Sequence, residues 1–293
     1  MNGQALLLIR DFLKRECLGY NDSIHVMVTQ RKAGKTFSLE EHIAGMVYAL
    51  LSNQTEWSRI VPHLKDIDQL FFHYDPRKIK DTPASFFAEG IFALKCGNVS
   101  TATQMRGLAY NIGIMERLAT RYGSMDAFVT SAPPHKIVAM LSDAKSSYKL
   151  KQMGEALAWE YIRNVGIDGC KPDTHMKRFL GNSRMGCATG EIASVDEVIE
   201  QVNALSKETG LDLCAIDNII WSFCAKGYGQ ICTANPHCEK CVVKSYCNNC
   251  VPGGQTVKLP ITHEELRRIC KECNDDPLAI GNYVLRLAKD GHG

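Results

Sequence analysis

The run CTANPHCEKCVVKSYC restricts this chain more than any other stretch, because it spaces Cys232, Cys238, Cys241 and Cys247 as Cys-x5-Cys-x2-Cys-x5-Cys. Two thiolates two residues apart can bind one centre across a tight turn, and the five-residue loops let the other two reach round it. Four thiols so placed can close on one tetrahedral or cubane site, either a zinc ion or a [4Fe-4S] cluster. Cys250 follows closely and can stand in for Cys247, which keeps the shorter loop.

The start of the chain, MNGQALLLIRDFLKRECLGY, has charges where a signal peptide needs its apolar region. Thirteen cysteines in such a chain argue for reduced thiols and metal ligation rather than a disulfide framework. No apolar run has the length of a bilayer span, so the expectation is a cytoplasmic protein, nucleoid-associated if bacterial, with no membrane partner. With 293 residues, 45% of them hydrophobic, the chain can bury one large core or two moderate ones, and two closely packed lobes are expected. The net charge is only +2, so any nucleic-acid contact must come from a local patch.

In chain order, apolar spacing predicts a helix over 4 to 17, then a mixed connection from 19 to 34 that includes short extended structure. Ser38 with Glu41 forms a capping box before the apolar run HIAGMVYALLSNQ. That helix ends in LLSNQTEW, whose Asn53, Gln54 and Trp57 are offered to something outside the fold. Further helices are expected over 57 to 73, 84 to 95, 101 to 121, 124 to 131 and 134 to 142, with breaks such as Asp75-Pro76, Cys96-Gly97 and Pro133-Pro134. No strand alternation is long enough to build a sheet, and the fold class is all-α.

A short hairpin is expected at 149 to 154, a helix from Glu155 to Asn164, then breaks at Gly166, Gly169 and Pro172 before Asp173-Thr174-His175 opens another helix. Asp173 is an ordinary N-cap residue there. Lys149, Lys151, Lys171, Lys177 and Arg178 bracket these turns, and hairpin amides beside lysines make a phosphate-binding surface. Two more helices, 194 to 208 and 213 to 226, lead into the cysteine run. Beyond it, Pro252-Gly253-Gly254 reads as a boundary, Thr262 with Glu265 as a second capping box, and 277 to 289 as a last helix. Cys270 and Cys273, with Cys250 or His263, do not make a complete second ligand set.

Three separated pieces, LLSNQT, the hairpin followed by KPDTHMKRFLG, and the four-cysteine run, together resemble the helix-hairpin-helix base-excision DNA glycosylases of the endonuclease III type. The resemblance covers roughly residues 38 to 250. It implies two helical lobes with a DNA cleft between them: a six-helix barrel lobe over 38 to 155 that includes the hairpin, and a cluster lobe from 1 to 37 and 156 to 250, with 251 to 293 a C-terminal helical extension. Asp173 then matches the family's catalytic aspartate, and Gln54, flanked by Asn53 and Trp57, the residue that enters the duplex as the target base leaves. Lys149, Lys151, Met153, Gly154 and Lys177 fall where DNA phosphate is held, as do Lys240 and Lys244 on the cysteine run. The implied cofactors are a [4Fe-4S] cluster on the four cysteines and an alkali cation at the hairpin carbonyls. The implied partner is double-stranded DNA with a damaged or modified base, bound by a monomer.

Departures from the family pattern sharpen the expectation. The hairpin's first glycine is replaced by Gln152, and the position of the bifunctional members' Schiff-base lysine holds Ala156 in the hairpin register or Glu155 counted back from Asp173. A monofunctional glycosylase that uses water is therefore expected. The alternatives are a bifunctional glycosylase and AP lyase that borrows a hairpin lysine, and a catalytically inactive iron-sulfur DNA-binding or redox-sensing protein.

Overall fold

The computed structural model describes residues 1–18, 23–250 and 263–273, whose regular elements are all helices, with no strand among them. The chain forms two compact units, Met1–Cys247 and Asn248–Gly293.

Helix α1 (Gly3–Arg15) begins at Asn2, whose side chain accepts from the Ala5 amide at 3.1 Å, and it buries Leu6, Ile9 and Leu13. The stretch expected as a partly extended connection instead contains a second helix, α2 (Ser23–Lys32). Tertiary contacts override its β-branched composition. Arg31 on its last turn bonds the Asp126 carboxylate at 2.5 Å and the Val165 carbonyl at 2.7 Å, and its guanidinium lies 4.8 Å from the Phe37 ring centre.

Helix α3 (Leu39–Leu51) opens on the expected capping box: the Ser38 amide donates to Glu41 at 2.8 Å and the Glu41 amide to the Ser38 hydroxyl at 3.3 Å. The single helix expected over 57 to 73 is broken into α4 (Trp57–Ile60) and α5 (Leu64–Leu70) with a 3-10 turn at each join. Pro62 lies in the first turn, where its missing amide is tolerated. Asp75-Pro76 is not only a break; it starts α6 (Pro76–Asp81), with Asp75 accepting from the amides of Arg77 and Lys78. Helices α7 (Ala84–Ala93), α8 (Thr101–Tyr122), α9 (Met125–Val129) and α10 (Pro134–Ser142) follow close to their expected bounds.

These helices and α11 (Glu155–Asn164) enclose one core, in which Met46, Leu50, Ile112, Phe128 and Ile162 are buried and the Phe71 and Phe87 rings stack at 4.9 Å. A second group of buried side chains joins α1 to α12 (Thr174–Leu180), α13 (Val195–Thr209) and α14 (Leu213–Cys224). There Phe12 and Phe179 meet Phe223 edge-on at 6.0 and 6.1 Å. Between the two, Arg163 of α11 pairs with Asp217 of α14 at 2.5 Å.

In the second unit, α15 (His263–Glu272) carries Cys270. Pro252-Gly253-Gly254, the capping residue Thr262 and the helix expected over 277 to 289 lie outside the described residues. Among those described, no helix is long and apolar enough to cross a membrane.

Candidate active site

Asn53, Gln54, Trp57, Asp173 and Lys177 line one cavity of about 630 Å³. The turn that carries the first three follows α3 and is held from beneath. Asn98 donates its side-chain amide to the Asn53 carbonyl and, at 2.9 Å, to the Thr55 hydroxyl, while Gln104 bonds the Leu50 carbonyl at 2.9 Å. Gln54 is exposed at the tip with a φ of 54°. A non-glycine residue in the left-handed region is held there against its own preference by its surroundings. Trp57 is half-buried, edge-on to Tyr48 at 6.2 Å, so it packs on the core and faces the cavity at once.

Asp173 is the N-cap of α12: one carboxylate oxygen accepts from the amides of His175 at 2.8 Å and Met176 at 3.1 Å. Its other oxygen accepts from no described residue. Among the described residues four carboxylates line the cavity, and three of them stand in ion pairs. Glu56 holds Lys226 at 2.7 Å, Glu160 holds Arg163 at 3.3 Å and Lys171 at 3.5 Å, and Asp217 holds Arg163 at 2.5 Å. Asp173 has no such partner among the described residues, which sets it apart on this wall.

The paired carboxylates respond differently to burial. Burial pushes Asp217 up to about 6 despite Arg163. Burial also acts upward on Glu160, but the charges of Lys171 and Arg163 outweigh it and hold that carboxyl below its ordinary value. Burial depresses His175 below the usual imidazole range, with Arg178 and Lys171 adding to the effect and Asp173 opposing it. The sequence expectation did not include Glu160, Arg163 or Asp217. Their signal is polar residues at helical spacing inside apolar runs, EALAWEYIRN and LCAIDNIIWSFC.

The hairpin residues lie outside that cavity lining. Gln152 takes a φ of 59°, in the left-handed region that a glycine reaches more easily. Asn111 clamps the next turn from both sides, accepting from the Lys151 amide at 2.6 Å and donating to the Lys151 carbonyl at 3.0 Å. Met153 is buried and its amide turns inward to the Leu150 carbonyl at 3.3 Å. The exposed amides of Gln152 and Gly154, beside the uncapped start of α11, have no partner among the described residues. Lys151 is exposed with its ammonium 4.4 Å from the Tyr110 ring centre. Lys149 instead turns its ammonium into the Met153 carbonyl, and burial lowers its pKa. That carbonyl, at the hairpin where the resemblance implies an alkali cation, thus already accepts from a cation belonging to the chain.

Cys232, Cys238, Cys241 and Cys247, the expected metal ligands, all lie among the described residues. Cys232 and Cys247 are buried and Cys238 and Cys241 partly so. Two 3-10 turns, Cys238–Lys240 and Lys244–Tyr246, place three of them: the Cys241 amide donates to Cys238 and the Cys247 amide to Lys244, each at 3.2 Å. Burial pushes the Cys241 thiol up to about 11, with the neighbouring Cys232, Cys247 and Cys238 acting in the same direction. Cys232 is held low, first by a hydrogen bond from Cys224, with Arg184 and Arg178 contributing. Cys224 was not among the expected residues. Arg178, on the helix that Asp173 caps, also reaches the Cys232 carbonyl at 3.5 Å, which ties that helix to the cysteine loop. Lys240 and Lys244 are exposed on the same two turns.

No protein-family model matches the chain, and no curated protein matches it. Among solved structures it is similar to the crystal structure of Methanocaldococcus jannaschii 8-oxoguanine glycosylase/lyase in complex with a 15mer DNA containing 8-oxoguanine. The TM-score is 0.48 at 19% identity, covering 69% of this chain and 89% of that chain.

Proposed function

We propose that the protein is a DNA N-glycosylase that extrudes a damaged or modified base from a duplex and hydrolyses its N-glycosidic bond. The observation that carries this is the meeting of an exposed Gln54 and an unpaired Asp173 carboxylate on one cavity. A stacked base cannot be attacked, and extruding it costs a few kcal/mol. Gln54 fills the gap and offers its side-chain amide to the orphaned partner base, with Asn53 and Trp57 beside it. Cleavage develops positive charge on the sugar, and the open oxygen of Asp173 stabilises that charge or orients water.

Water is the nucleophile in this reading. Ala156 lines the cavity where a Schiff-base amine would be needed, and the Lys149 ammonium is engaged within the hairpin. DNA phosphates contact the outward amides of Gln152 and Gly154 together with Lys151, Lys177, Lys240 and Lys244. Cys232, Cys238, Cys241 and Cys247 would hold a [4Fe-4S] cluster, whose contribution is to fix the loop bearing Lys240 and Lys244.

A panel of duplexes, each with one modified base, tests the proposal. The expected result is release of at least one base, abolished by Asp173→Asn, with no adduct trapped by borohydride. No release from any substrate would leave a DNA-binding protein without glycosylase chemistry. Protein purified without oxygen should be brown and contain iron and sulfide in equal amounts; a colourless zinc protein would overturn the cluster assignment.

A further inference from the structure

Helices α2 and α14 bring together three side chains that the proposed chemistry does not use. His25, Asp212 and Cys214 each present one donor atom, a ring nitrogen, a carboxylate oxygen and a sulfur, and the three atoms lie within 4.8 Å of one another. The Nδ1 of His25 is buried and has no hydrogen-bond partner among the described residues, a condition that buried imidazole nitrogens seldom keep. Asp212 occupies the N-cap position of α14, yet its side chain caps nothing. That duty falls to Asp168, which accepts from the amides of Leu213 at 3.3 Å and Cys214 at 2.9 Å. Cys214 is fully buried in a small cluster with Ile24 and Val28.

We propose that His25, Asp212 and Cys214 bind a zinc ion. A mixed nitrogen, oxygen and sulfur set suits zinc, whereas magnesium and calcium take oxygen ligands. Lys32, whose ammonium bonds Asp212 Oδ1 at 2.6 Å, and Asp168, which fixes the Cys214 backbone, then serve as the outer contacts that orient the ligands. The ion would pin α2 against the start of α14. Ile24 of α2 and Asp217 and Trp221 of α14 line the cavity, so the pinned helices are two of its walls.

Zinc counting on the full chain tests this without reference to base release, so its failure leaves the glycosylase reading untouched. Wild type and two variants, His25→Ala and Asp212→Asn, are equilibrated with zinc chloride and dialysed against metal-free buffer. The four-cysteine centre is intact in all three and cancels in the comparison. The expected result is one more zinc per chain in wild type than in either variant, together with a rise in wild-type Tm on zinc addition that His25→Ala lacks. Equal zinc in wild type and a cooperatively melting His25→Ala or Asp212→Asn would overturn the site, as would wild type whose Tm does not respond to zinc.

Discussion

Asp173 caps α12 and is also the proposed catalytic carboxylate, and two substitutions separate these roles. In Asp173→Asn the side-chain oxygen that accepts from His175 and Met176 at 2.8 and 3.1 Å is retained, and Asn and Asp are nearly equal as N-caps. What is lost is an anion at a helix N-terminus, about 0.3–1 kcal/mol. Asp173→Ala loses the cap as well, about 1 kcal/mol more. For a chain of this size each kcal/mol corresponds to about 2–4 °C in Tm, so Asn should melt within a few degrees of wild type and Ala a few degrees lower. Removing a preorganised charge from beside a developing cation has a different scale, about 10²–10³-fold in rate. Single-turnover base release from an end-labelled duplex, developed with alkali, should therefore fall at least a hundredfold, on the order of that electrostatic loss, in both variants. An Asp173→Asn protein that releases base within a few-fold of wild type would refute the catalytic role and leave Asp173 a cap.

Arg163→Met leaves Glu160 and Asp217 buried without their shared guanidinium, and urea titration should show a loss of about 3–5 kcal/mol. Burial holds His42 below its ordinary value while Asp126 opposes, so its contribution to stability is full above about pH 6.5, the unfolded value, and is lost as pH falls through the lower folded value. Asp217 runs the other way, since its folded value of about 6 lies above the unfolded one and its contribution is lost as pH rises through it. The stability difference between wild type and His42→Gln isolates the first effect and should shrink on acidification from neutrality. Lys149→Met removes the ammonium from the Met153 carbonyl, a charged hydrogen bond of about 1.5–3 kcal/mol. Its Tm should become sensitive to exchange of potassium for tetramethylammonium, and wild type should show no such sensitivity.

What was legible in the sequence follows the range of the forces involved. The capping box at Ser38, the Asp173 helix start and the 155 to 164 helix are written within a few residues, and the structure has all three. Helix α2 was missed because its stability is non-local, resting on Arg31 with Asp126 and Val165. The long helix expected over 57 to 73 failed because apolar spacing continues across Pro62, where the backbone tightens into a 3-10 turn. The Asn53 to Trp57 turn and Asp173 were each found by motif, but their sharing of a cavity depends on packing across both cores. Glu160 and Asp217 were overlooked since a lone acid in an amphipathic helix ordinarily faces water, and only Arg163 explains their burial.

The ion pairs on the cavity wall also bear on how its chemistry is assigned. A carboxylate stabilises a developing cation through its net charge in a site with little water, and a neighbouring guanidinium or ammonium cancels most of that field. Glu160 and Asp217 share Arg163, and Lys171 adds to the compensation of Glu160. Glu56 faces Lys226. Each of the three therefore contributes geometry and hydrogen-bond acceptance to the wall more than charge. One oxygen of Asp173 is held by backbone amides, whose dipoles fix its position without supplying a full positive charge. The same N-cap arrangement that makes this residue look merely structural in the sequence thus leaves it the least compensated anion in the cavity. A helix start is where a carboxylate can be held rigidly by the backbone alone, and that rigidity would let Asp173 serve as both cap and the proposed catalyst.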